Sequence, residues 1–184
     1  MACYGSNVPS SIESAYQPKV ISVLKAIADG ERLTHVDLSD CGLTSIPSEL
    51  FQLGDSLVLL NLGGNQLSDL PDTMIEFKNL RILFFAQNQF ENIPLVLGRL
   101  PSLFMLSFKS NQISHIDNLS LGKSICWLIL TDNKISELPS SIGELTGLRK
   151  LMLAGNELTS IPDEMQHCQV RPFIQTTYFM LRAR

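Results

Sequence analysis

The sequence predicts an α/β solenoid of about six stacked units, each giving one strand to a parallel sheet and returning through a short helix or 3₁₀ turn. Three observations point there. Six segments align in register: LTHVDLSDCGLTSIP, LVLLNLGGNQLSDLP, LRILFFAQNQFENIP, LFMLSFKSNQISHID, ICWLILTDNKISELP and LRKLMLAGNELTSIP. They begin at Leu33, Leu57, Leu80, Leu103, Ile125 and Leu148, so successive starts lie 24, 23, 23, 22 and 23 residues apart. Each segment alternates apolar and other residues like a strand, then reaches an Asn in five cases and a Pro in five.

Each fixed position has a physical reason. In L-x-x-L-x-L, Leu60 and Leu62 of the second unit, and Leu128 and Leu130 of the fifth, point into the interior. Burying one such side chain contributes roughly 1.5–3 kcal/mol. A single unit cannot bury its own apolar face, so stability comes from stacking. Asn65, Asn88, Asn111, Asn133 and Asn156 follow the strands where the chain turns inward. There an amide can donate to and accept from backbone groups that have lost their ladder partners, forming an asparagine column. Pro47, Pro71, Pro94, Pro139 and Pro162 block continuation of strand or helix and start the return segment. The apolar pairs that follow, Leu97 with Leu100 and Ile142 with Leu145, fit a short turn facing the core. The fourth unit departs from the pattern, with Asp117 in place of Pro and one residue fewer, so DNLSLGKS is expected to take an irregular path.

The pattern L-x-x-L-x-L-x-x-N-x-L-x-x-I/L-P resembles the leucine-rich repeat family, in its intracellular type with repeats of 23 residues, over residues 33 to about 168. The resemblance implies a right-handed horseshoe arc, with parallel strands on the concave face and short helices or 3₁₀ turns on the convex face. It also implies that Cys41, at the Asn position of the first repeat, is a buried and inert substitute. In this family the outward strand residues of the concave face carry specificity. Two function classes follow. One is a free-standing adaptor, similar to small intracellular leucine-rich proteins that assemble GTPase, kinase or phosphatase complexes. The other is the sensing segment of a larger signalling enzyme, since LFMLSFKSNQI, CWLILTDNKI and LRKLMLAGNEL look like arrays joined to Ser/Thr protein kinase domains.

The outward columns follow from the strand register. The central one reads His35, Leu59, Ile82, Met105, Trp127, Lys150, and the next Asp37, Asn61, Phe84, Ser107, Ile129, Met152. Solvent would accept polar residues at most of these positions. Leu59, Ile82, Phe84, Met105, Trp127, Ile129 and Met152 instead make one apolar stripe, the candidate partner-binding surface. Asp37, Asp40 and Asp132 against Arg81, Lys109, Arg149 and Lys150 make a mixed polar rim. Coverage of the stripe by residues 169–184 is the competing expectation.

The two ends differ from the array. Residues 1–17 are expected to be flexible, with Ser10 and Glu13 at capping-box spacing. Residues 18–32 are expected to form a capping helix and its exit. Pro18 suits the first turn, Gly30 suits the C-terminal cap, and Val20, Val23, Leu24 and Ile27 form one stripe. That stripe covers the open core of the first repeat or, alternatively, binds a partner. Residues 169–184 are apolar and β-prone but out of register, and are either a lid over the last repeat or the end of a truncated longer array. The protein is expected as a monomer or associating through this C-terminal end.

Composition narrows the functions. The 184 residues are 45% hydrophobic and 17% charged with formal net charge -4. That is enough apolar chain for a real core. The acidic balance argues against nucleic acid or an anionic membrane as partner. No run of about 18 apolar residues predicts a membrane span. The N-terminal segment lacks the basic and apolar regions of a secretory signal, and Ala2 stands where myristoylation needs a glycine. Cys3, Cys41, Cys126 and Cys168 are scattered, without metal-ligand spacing, which favours a reducing cytoplasm. Gly63-Gly64 lacks a following GK[ST], and no nucleophile elbow, HExxH, HRD or DFG occurs. His35, His115 and His167 stand apart, the first on a strand and the others in turns, and the sequon at Asn118 is expected to be silent. The expectation is a non-enzymatic, cytoplasmic scaffold in signal transduction, without cofactor or metal, that binds a protein partner.

Overall fold

A computed structural model describes residues 16–168 of the chain. The expectations for residues 1–15 and 169–184, including the capping box and the lid or truncated array, lie outside the described residues. Tyr16, the first described residue, is half-buried and packs against the core.

Six three-residue strands form one parallel sheet in chain order: β1 His35–Asp37, β2 Leu59–Asn61, β3 Ile82–Phe84, β4 Met105–Ser107, β5 Trp127–Ile129 and β6 Lys150–Met152. Equivalent positions pair throughout, with Val36 beside Leu60, then Leu83, Leu106, Leu128 and Leu151 in one inward row. All six side chains are buried. The neighbours of each in its strand emerge on the opposite face, as the two-residue period of a strand requires.

The chain leaves each strand through a residue in the left-handed region. Asp40, Gly64, Gln87, Ser110, Asp132 and Gly155 occupy equivalent positions with φ between 54° and 71°. Only Gly adopts this region freely; the four others are held there by the stack, and each donates its N–H to a carbonyl of the next repeat at 2.8 Å. The turn aims the following side chain inward, and at five of six positions that side chain is Asn.

Each Asn amide then ties two repeats together. Nδ2 of Asn111 donates to Phe85 O at 2.9 Å in the preceding repeat and to Phe108 O at 3.0 Å in its own, while Oδ1 accepts from Phe90 N at 3.2 Å. Asn65, Asn88, Asn133 and Asn156 repeat the arrangement, each accepting from the backbone N–H of Leu43, Leu67, Ile113 and Ile135 in turn. Cys41 supplies a thinner version. Its Sγ donates to Ser39 O at 3.3 Å, and burial pushes its thiol above the ordinary range, so it stays protonated.

The interior is aliphatic except at its centre. Phe85, Phe90 and Phe108 replace leucines there and form a fully buried trio with ring centroids 5.0–5.1 Å apart. Such contacts contribute about 0.5–1.5 kcal/mol per pair beyond area burial. On the outer side Pro47, Pro71, Pro94, Pro139 and Pro162 cap the 3₁₀ segments Ser48–Leu53, Asp72–Glu76, Leu95–Arg99, Ser140–Glu144 and Asp163–His167. His167 therefore closes a 3₁₀ segment instead of lying in a plain turn, and His115 makes an isolated parallel bridge with Asn92. The fourth repeat has no such segment. Asp117 accepts from Leu119 N at 2.8 Å and folds the chain into a turn that lays the Leu119 carbonyl over Gly98, where a Cβ would collide.

The two ends of the array are unequal. Helix α1, Pro18–Ala28, opens with Pro at its first turn and buries Val20, Leu24 and Ile27 over the first repeat, exiting through Gly30 at φ 84°. Lys19 reaches back to the sheet, donating to Asp37 Oδ1 at 2.8 Å and Ser39 Oγ at 3.0 Å. At the other end Leu158, Ile161 and Met165 are half-buried, although their counterparts in earlier repeats are buried.

Two stability measurements follow. Asn111→Ala orphans buried carbonyls and an N–H, and is expected to lower urea-unfolding stability by about 1–3 kcal/mol. Asn156→Ala, at a half-buried rung, is expected to lose less. Partial burial raises the Asp37 pKa, but the Lys19 ammonium with the Ser39 N–H and hydroxyl outweighs it and brings it from 3.8 to about 2. A lowered pKa stabilises the fold above pH 3.8 and the gain disappears as pH falls towards about 2. Asp37→Asn is therefore expected to be less stable than wild type by under about 1 kcal/mol at neutral pH, because the pair is well exposed, and the gap is expected to close in acid unfolding curves.

Candidate functional site

The site is built on the solvent side of β2–β6. Leu59, Ile82, Met105, Trp127 and Lys150 stand side by side in one column, and Asn61, Phe84, Ser107, Ile129 and Met152 in the next. Leu59, Ile82, Phe84, Met105, Trp127, Ile129 and Met152 thus share one face of neighbouring strands. Each is half-buried, because neighbours about 4.8 Å away shield one another's flanks. The stripe has a notch. Ser107 sits between Phe84 and Ile129 and is only 6% exposed, closed over by its larger neighbours.

A third column, one residue before the strands, was missed by reading the repeat as two outward columns. It holds Val58, Arg81, Phe104, Cys126 and Arg149. Phe104 lies with its ring centroid 6.4 Å from that of Trp127. The Arg81 guanidinium stands 5.6 Å from the Phe104 centroid, and the Lys150 ammonium 4.9 Å from the Trp127 centroid. The signal was present in the sequence, since this position mixes apolar and basic residues, but it precedes the strand proper.

The mixed rim separates in space. Asp37 is neutralised by Lys19, and Asp40 packs over Gly64 at the N-terminal end. Arg81, Lys109, Arg149 and Lys150 occupy β3–β6 and their margins and have no carboxylate partner among the described residues. Asp132 lies at the margin, accepting from Ser110 Oγ at 3.4 Å.

Nothing in this arrangement supplies a nucleophile with a base, or a ligand set. Among the described residues no three His, Cys, Asp or Glu side chains gather where they could hold a metal ion. His35 is exposed on β1 with Nδ1 2.9 Å from Thr34 Oγ1, far along the array from His115 and His167. Cys126 is half-buried and free, and burial raises the thiol pKa of Cys168, which donates to Ile142 O at 3.1 Å. No helix among the described residues is long and apolar enough to cross a membrane.

Comparison with known proteins agrees with this geometry. A family described as leucine rich repeat matches residues 31–90. The chain is 35% identical over 135 residues to a probable serine/threonine-protein kinase, pats1, of Dictyostelium discoideum, covering 68% of the chain and 4% of that protein. It is 30% identical over 137 residues to oligodendrocyte-myelin glycoprotein of Homo sapiens, covering 73% of the chain and 30% of that protein. Among solved structures, the LRR ectodomain of a plant membrane receptor kinase from Arabidopsis thaliana, in complex with Casparian strip integrity factor 2, superposes with TM-score 0.60 at 29% identity. That match covers 73% of this chain and 17% of the receptor chain. The chain thus spans well under two thirds of these relatives' lengths. Six stacked strands, an asparagine at five of six strand exits, proline-capped 3₁₀ returns and these matches together make the chain a member of the leucine-rich repeat proteins.

Proposed function

We propose that this chain is a non-enzymatic scaffold that binds a partner protein on its concave face, in cytoplasmic signalling. One observation carries it: seven apolar side chains, Trp127 among them, are gathered half-exposed on a single face of the sheet. A monomer rarely leaves so continuous an apolar strip open without using it, and Trp is a favoured anchor at interfaces. Met105 and Met152 give the strip an adaptable surface. The cytoplasmic assignment rests on the free thiols of Cys41, Cys126 and Cys168, which stand far apart in the array. Nucleic acid and membrane are not the proposed targets, given the net charge of -4. The protein acts as a monomer or associates through its C-terminal end.

The 35% identity to a kinase favours a second reading, in which the array is the recognition segment of a larger Ser/Thr protein kinase. The chain itself carries no glycine-rich ATP loop, HRD or DFG, so any phosphoryl transfer would belong to another domain. An immunoblot of the source cells separates the two. An adaptor gives a band near 20.4 kDa, and a kinase-linked array gives one several times larger.

Trp127→Ala tests the surface. Affinity capture from cell lysate is expected to lose the partners that wild type retains, with binding weaker by at least about 2 kcal/mol and far-UV circular dichroism unchanged. Equal recovery of the same partners by both proteins would remove the strip as the binding face.

A further inference from the structure

We infer that the occupant of the concave face is an acidic polypeptide segment that sets its carboxylates against Arg81, Lys109, Arg149 and Lys150 and its apolar side chains on the strip. This rests on the proposed use of that face and adds the chemistry of the partner. The chain as a whole has more acids than bases, 18 against 14, so an average patch of its surface would be negative. The sheet face of β3–β6 has the opposite sign. Among the described residues of these strand columns and their exits, Arg81, Lys109, Arg149 and Lys150 stand with Asp132, and Asp37 at the other end of the sheet is already paired with Lys19.

These cations are also placed. Arg81, Phe104, Trp127 and Lys150 form a row across β3–β6, with a cation over each ring and the two rings together between them. Attraction to the ring faces holds both charged groups beside the apolar strip. None of the four cations has a carboxylate partner among the described residues. A partner that covers Trp127 must therefore strip water from Lys150. A neutral or basic segment would leave that charge buried and unpaired, whereas an acidic one restores a charge-assisted bond. The same asymmetry rejects basic competitors. Arg81 and Lys150 are three strand steps apart, about 14 Å, which an extended segment spans with acids about four residues apart. Five of the seven strip residues are aliphatic or thioether side chains, which suits a polypeptide better than a nucleic acid, whose bases would need stacking faces.

The test is selection of a random twelve-residue display library on the full chain, followed by binding measurements with the enriched synthetic peptides. Enriched peptides are expected to combine apolar residues with an excess of Asp and Glu. They should bind at least about tenfold more weakly to Arg81→Glu/Lys150→Glu and weaken as salt rises. The milder Arg81→Gln/Lys150→Met pair, with circular dichroism on both variants, separates charge from misfolding. Peptides that need Trp127 but show no acidic excess would overturn the acidic occupant and leave the concave site standing. Peptides indifferent to both Trp127→Ala and the charge variants, or no enrichment at all, would overturn both. Binding of a twenty-residue oligothymidylate as tight as that of the selected peptides would overturn the polypeptide assignment.

Discussion

Stacked strands of three residues leave a backbone problem at every exit, and the asparagine column is what solves it. Once β2 ends at Asn61, the carbonyl of Leu62 and the N–H groups of Cys41 and Leu43 point inward with no ladder partner. Buried and unpaired, each would carry a penalty of about 1–3 kcal/mol. The Asn65 amide answers these groups from the two repeats that it touches, and Asn88, Asn111 and Asn133 do the same along the core. Because every rung joins one repeat to the one before, the column transmits register as well as stability. The inward leucines can then fall in one row, and the outward side chains line up in columns.

The outward columns inherit that regularity and use it differently. Inside, side chains are nearly interchangeable, and Phe85, Phe90 and Phe108 substitute for leucine by repacking as a trio. Outside, no packing constraint selects Leu59, Ile82, Trp127 or Met152 over polar residues. Charge is sorted there too. The helix α1 end consumes the carboxylate of Asp37 through Lys19, while the cations on β3–β6 remain unpaired among the described residues. The face thus carries an apolar strip bordered by positive charge on a chain whose sum is negative. Apolar contact supplies area in such a face, and the flanking charges discriminate between partners.

Much of this was legible beforehand, though unevenly. The asparagines at 65, 88, 111, 133 and 156, the prolines of the return segments and the anomaly at Asp117 each mark a position where one residue type answers a backbone need. Left-handed turns at Gln87 and Ser110 were not legible, because neither residue favours that conformation and only the surrounding ladder holds it. Phe104 escaped for another reason. It precedes β4 by one residue, and its importance comes from proximity to Trp127 on β5, a contact between residues 23 positions apart in the sequence. The pairing of Lys19 with Asp37 likewise joins a helix to a strand across the open end of the stack.

The sequence by itself determined the repeat, its period, the inward row and two of the outward columns, because all of these depend on local periodicity and on hydrogen-bonding needs that recur every 22 to 24 residues. Tertiary structure decided which of the outward charges pair, as Lys19 does with Asp37, where the aromatic rings meet, and how the short fourth repeat closes over Gly98. Those outcomes depend on distances between columns, and a one-dimensional pattern fixes the column of a residue without fixing what stands beside it.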